Sequence, residues 1–199
     1  WGAFQILNDL SLSQLQTIIE DVAKDAGEDE TAAKIGNYYN AWLNVERVNE
    51  LGVTPLEDLF RQIDALDTHD DVAAFFGSSN ELGLDAPIQL IINQDLKSPD
   101  RYAIFVWQSG LGLPDRDYYF DESERGLELR DKYQAYIGDM LDLSGQENAS
   151  AAAERIMAVE TSLAEHHWDK VDNRDPTKIY NRREDPELGS MLSNFDLDA

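Results

Sequence analysis

"PIQLIINQ" (Pro87–Gln94) and "RYAIFVWQ" (Arg101–Gln108) decide the fold of this chain. Both runs are rich in β-branched and aromatic residues, and the "DLKSPD" between them has turn chemistry. The pair therefore reads as a β-hairpin over Pro87–Gln108. No other stretch carries this pattern so clearly, and the rest is dominated by helical signals. Leu12, Leu15, Ile18, Ile19 and Val22 recur at helical spacing, with Gly27 as a stop. Ile35, Tyr38, Tyr39, Trp42, Val45 and Val48 mark a second helix ending near Gly52. "TPLE" (Thr54–Glu57) has the form of a capping box with Pro55 at the first helical position, and opens a third. Asp70–Gly77 reads as a short fourth helix. Beyond the hairpin, two longer helices are expected over about Glu122–Leu143 and Ala149–Val171. A turn-rich "DNRDPTKIYNRREDP" then leads into a last short apolar stretch. The fold class is mainly α: a multi-helix lobe with one β-hairpin at about 87–108, taken as a single domain over 1–199.

Bulk composition narrows the function classes. The 199 residues are 42% hydrophobic and 10% aromatic, enough material for a core. No apolar run approaches the ~20 residues of a membrane span. The first residues, "WGAFQILNDL", carry neither a basic leader region nor an initiator methionine, and read as an internal start. Net charge is −24, which argues against nucleic-acid binding because phosphate contacts need Lys and Arg. Asp outnumbers Glu by 24 to 16 and there are six lysines. This fits a well-solvated surface or an adaptation to salt, which screens self-repulsion. Cysteine is absent, which rules out disulfides and thiolate metal sites.

"GLGLPDRDYY" (Gly110–Tyr119) follows the hairpin directly and is too elaborate for a plain turn. Gly110 and Gly112 free the backbone where a side chain at positive φ would be strained. Pro114 fixes its own φ and pushes Leu113 towards an extended conformation. Leu111 and Leu113 are candidate anchors in a core. "DRD" can tie the loop down, with Arg116 as a fork-shaped donor, and Tyr118 and Tyr119 offer apolar rings with polar tips. An ordered strand-to-helix connection follows, and a packed connector without chemistry satisfies the same residues.

The decapeptide resembles a signature of the N-terminal region of the neprilysin-type zinc metallopeptidases, a family that includes neprilysin, the endothelin-converting enzymes and bacterial oligopeptidase O. Other segments are similar in the same order. "WGAFQILND" resembles the family's aromatic-Gly-x-Phe-x-x-Leu segment. "KIGNYYNAWLNVERVNELGVTPL" resembles its second helix and following turn, and "NRDPTKIYNR" (Asn173–Arg182) its Arg-Asp-Pro-x-x-x-Tyr-Asn element. The resemblance implies that residues 1–199 are an N-terminal helical lobe, with oligopeptide substrates and a C-terminal catalytic lobe of the same protein as partners. It also implies zinc in the full-length enzyme. Bacterial relatives are often exported, so a periplasmic or extracellular location is expected, with the cytoplasm as the alternative.

The family's catalytic signature, His-Glu-x-x-His on a helix, does not occur here. That spacing places two imidazoles one turn apart on one face, with the Glu able to act on the zinc-bound water. The histidines are His69, His166 and His167, and adjacent helical residues diverge by roughly 100°. "AEHHWDK" offers a metal only Glu165 or Asp169 with one His. The plainer reading is a helix with one His packed by Trp168 and one solvated. "DNRD" (Asp172–Asp175) lacks the Gly and Glu of a calcium loop. Paired acids are common because acids are common. No Gly-x-Ser-x-Gly elbow is present. The segment is expected to bind no zinc and to have no peptidase activity alone.

In the resembled enzymes, the segment matching "WGAFQ" lines primed-side substrate pockets, which makes Phe4 and Gln5 the candidate substrate-binding residues. Some members carry an acid where Gln5 stands, so the subsite preference does not transfer. Plain core packing is the competing role for Phe4. Two functions follow. One is a lobe that encloses the catalytic cleft of a metalloendopeptidase and restricts substrate size. The other is a stand-alone binding or scaffold module. An exposed apolar face favours the first, and a closed polar surface the second.

Overall fold

The computed structural model describes residues 2–183 and Glu187. Trp1 and the final apolar stretch lie outside the described residues. Among the described residues the elements run α1 (Ala3–Lys24), α2 (Glu30–Trp42), α3 (Val45–Leu51), α4 (Glu57–Asp64), α5 (His69–Ser79), β1 (Ile88–Asp95), β2 (Ser98–Gln108), α6 (Asp117–Phe120), α7 (Glu124–Leu143) and α8 (Ala149–His166), eight α-helices and one two-stranded antiparallel sheet. The fold is mainly α with one hairpin, as the patterning predicts. Two compact units divide it, Trp1–Arg61 and Gln62–Ala199.

In the first unit α1 packs on α2. Gly36 makes this approach feasible: a Cβ there would lie 2.5 Å from the Val22 carbonyl oxygen. The Asn40 side-chain amide donates to the Ala23 carbonyl at 2.9 Å, satisfying an acceptor that the end of α1 leaves over. Asp29 caps α2, accepting from the Thr31 and Ala32 amides. The single second helix expected up to Gly52 is instead two. Its break at Leu43–Asn44 has a local cause, because the Asn44 side chain accepts from the Arg47 amide at 2.9 Å and starts a new helix.

"TPLE" does not form a capping box. The Glu57 amide bonds the Thr54 backbone carbonyl in a 3₁₀ turn over Thr54–Leu56, and α4 begins at Glu57. The box appears instead at α5, where Thr68 and Asp71 exchange side-chain-to-backbone bonds at 3.1 and 2.8 Å. Asp does there what Glu does in the usual pattern.

In the second unit, β1 and β2 pair from Ile88↔Gln108 to Gln94↔Tyr102, with an irregularity at Gln94/Asp95. Leu113, Tyr119 and Ala164 form the buried cluster, with Leu111, Tyr133 and Met157 packed against it. Helix α8 ends at His166, short of the expected Val171. The reason is tertiary: Gln108 at the end of β2 accepts from the Trp168 amide at 2.8 Å and donates to the Trp168 carbonyl at 3.0 Å. That reciprocal pair holds Trp168 in place of another helical turn.

Candidate functional site

Three places carry the sequence-derived candidates: the start of α1, the loop after β2, and the segment after α8. At the first, the Gln5 and Ile6 amides bond the Gly2 carbonyl as α1 begins, and no side chain caps this end. Phe4 is 90% exposed, so it is not packed into the core of its own unit. The Gln5 side-chain amide donates to Asp9 one turn on at 2.9 Å. None of the 22 residues of α1 is buried, although Ile6, Leu7, Leu10, Leu12, Leu15 and Ile18 all lie on it. Beside α1, an apolar groove of about 460 Å³ is lined by Ile19, Lys34, Ile35, Tyr38, Tyr39 and Trp42.

The Gly110–Tyr119 loop is the opposite kind of surface. Gly110 has φ +83°, the left-handed region that favours glycine. Gly112 is needed for space rather than for φ: a Cβ would stand 1.7 Å from the Tyr133 hydroxyl oxygen. Leu113 is buried, as its role as an anchor requires. Tyr119, 4% exposed, donates to Glu160 Oε2 at 2.5 Å and accepts from the Leu113 amide at 3.1 Å. Tyr133 donates to the same carboxylate at 2.9 and 3.1 Å, and the Gly112 amide reaches it at 3.3 Å. Burial, then the bond to Glu160, pushes both tyrosine hydroxyls well above their ordinary range. They stay protonated and serve Glu160 as donors. The carboxylate is saturated by fixed partners, which makes it a structural clamp rather than a general base.

Arg116 fastens the same loop to α8, with Nε donating to the Ala164 carbonyl at 3.2 Å and the guanidinium over the Phe120 ring. Lys170 pairs with Asp117 at 3.2 Å. No local pattern marks α6, which starts within the decapeptide and ends at Phe120, or Arg130, which donates to the Tyr118 and Asp121 carbonyls at 2.9 and 2.8 Å. Glu160 also passed unnoticed, because nothing local marks one acid among 40.

After α8, residues 172–182 fasten onto the hairpin tip. Asp95, 5% exposed, accepts from the Lys97 and Ser98 amides and from the Tyr180 hydroxyl at 3.0 Å, with Arg182 at 3.9 Å. The Lys97 ammonium lies over the Tyr180 ring at 4.2 Å. The Lys97 amide leads in holding the Asp95 carboxyl below its usual range, followed by the Tyr180 hydroxyl and the Ser98 amide. His166 closes α8 with Nδ1 2.9 Å from the Ser162 carbonyl. His167 lies beyond the helix, half-buried, and burial pushes its imidazole below the ordinary value. Among the described residues no group of three or more His, Asp or Glu side chains is placed to hold a metal ion.

The family model described as Peptidase family M13 matches residues 1–199. The chain belongs to peptidase family M13. Guinea-pig (Cavia porcellus) endothelin-converting enzyme 1 is 30% identical over 206 residues, covering 96% of this chain and 26% of that protein. Drosophila melanogaster neprilysin-3 is 27% identical, covering 90% of this chain and 24% of that protein. Among solved structures, the Mycobacterium tuberculosis zinc metalloprotease Zmp1, in complex with an inhibitor, superposes with a TM-score of 0.87 at 33% identity. The match takes in 99% of this chain and 30% of Zmp1. The M13 chain thus spans about a quarter of the length of the curated relatives it matches. The matching model is that of the family's N-terminal part.

Proposed function

We propose that residues 1–199 form the non-catalytic N-terminal helical lobe of a zinc metalloendopeptidase that cleaves oligopeptides, and that the lobe encloses the cleft and restricts substrate size. The observation that carries this reading is α1, a long helix with exposed apolar side chains and no buried residue. A stand-alone module would cover such a face, whereas a lobe leaves it for the rest of its protein and for substrate. Phe4 and Gln5 line a primed-side pocket in this reading, and the 90% exposure of Phe4 leaves its ring available for that contact.

Zinc belongs to the catalytic lobe, where it supplies a polarised, nucleophilic water. The 199-residue segment binds none and cleaves nothing alone, since it has no His-Glu-x-x-His. No described helix is long and apolar enough to cross a membrane. A periplasmic or extracellular location accompanies the proposal. A rigid lobe selects by steric exclusion, so the full-length enzyme should cut a short peptide and spare the same sequence within a folded protein. Equal cleavage of both would end the size-restriction reading. Stoichiometric zinc and peptide cleavage in the isolated segment would end the assignment of catalysis to the other lobe.

A further inference from the structure

The hairpin has one strand edge prepared for a partner. Ser109 donates to the Pro87 carbonyl at 3.0 Å, which fixes the phase of the ladder. Positions 87, 89, 91 and 93 face β2 with their backbone groups, and the alternate positions 88, 90, 92 and 94 turn theirs outward. Among the described residues no strand pairs with these groups, because the sheet has only two strands. Side chains from the same positions of β1 and their cross-strand partners form an apolar face, with Ile92 74% and Ile104 67% exposed.

The two edges differ. That of β2 is defended at its start by Pro99, Asp100 and Arg101, and its end is engaged by Trp168 through Gln108. That of β1 lies between Pro87 and the charged Asp95 that closes the strand, and over Ile88–Gln94 it reads "IQLIINQ", with no charge and no proline. An edge meant to face water permanently carries such guards, and a two-stranded hairpin alone is marginal in water. A net charge of −24 per chain opposes a second copy as the occupant. The relatives, about four times as long as this chain, contain ample polypeptide to supply a strand.

We propose that the outer edge of β1 receives a third strand from the catalytic region of the same polypeptide, tying the two parts of the enzyme through main-chain hydrogen bonds. This rests on the lobe reading above. Such a contact is specific to the outward positions, so it can be broken without touching the hairpin. Leu90→Pro removes an outward N–H only, and an edge strand tolerates proline there.

The test is single-residue hydrogen exchange on the full-length protein, with peptide cleavage measured on the same preparation. The Leu90 and Ile92 amides should be protected on the order of a hundredfold or more over free-edge rates. Leu90→Pro should abolish protection at Ile92 and lower the melting temperature. Free-edge exchange in an active enzyme overturns the third strand and leaves the lobe reading standing. Protection in an inactive protein counts against the lobe reading alone. Protection that appears only on adding an oligopeptide, or that rises with protein concentration, assigns the edge to substrate or to a second copy and overturns the proposal.

Discussion

Around Tyr119, two tyrosines and a backbone amide converge on Glu160, while Leu113 binds back to Tyr119. Along α1 no residue is buried. The contrast separates two uses of apolar sequence. Near Tyr119 the apolar residues enclose polar groups that partner one another, and this region specifies itself. On α1 the apolar residues are displayed, and in the proposed lobe reading their partners lie in the rest of the protein and in substrate. Substitutions in the first region should therefore act on stability, and substitutions in the second on function.

The largest stability effect is expected for Glu160→Ala. It strips the acceptor from two tyrosine hydroxyls and the Gly112 amide, and the cost of such unpaired groups is about 3 kcal/mol. Denaturant unfolding checks this, and a cost below about 0.5 kcal/mol, the range of ordinary surface changes, would break the comparison. Gly112→Ala comes next. Its Cβ would meet the Tyr133 hydroxyl oxygen at 1.7 Å, and displacing that ring should cost about 1–3 kcal/mol. Tyr119→Phe leaves the Leu113 amide without its acceptor, at about 1–2 kcal/mol.

The pH effects are smaller. The Asp95 carboxyl is held below its usual range chiefly by the Lys97 amide, so its contribution is present above the unfolded carboxylate value and is lost as pH falls through the folded one. Asp95→Asn should flatten that acid limb of a melting-temperature profile. For His167, burial disfavours the cation, so stability falls as pH drops below the unfolded value near 6.5. His167→Gln should remove this slope, and an unchanged slope would place the titration elsewhere.

Much of this was legible from local pattern. The hairpin follows from its β-rich runs, the Leu113 anchor from its place before Pro114, and the family from four motifs in order. What escaped depends on partners far away in sequence. The end of α8 is set by Gln108, 60 residues before Trp168, and the loop is clamped by Glu160, 41 residues after Tyr119. Asn44 shows a different failure: periodicity ran through it, while its side chain competed locally for a backbone amide.

Exposure makes Phe4 the sharpest point of the comparison. If this ring belongs to a substrate pocket, as proposed, Phe4→Ala should leave stability within ±0.5 kcal/mol. In the full-length enzyme it should lower kcat/KM about 10- to 200-fold for a peptide with a large apolar residue at the pocket. The loss should shrink for a peptide differing only by a small residue there. Kinetics on that peptide pair, with a melting curve alongside, separates a pocket role for Phe4 from a packing role. A selective loss at an unchanged melting temperature is the predicted result, and equal losses on both peptides, or a lowered melting temperature, would contradict it.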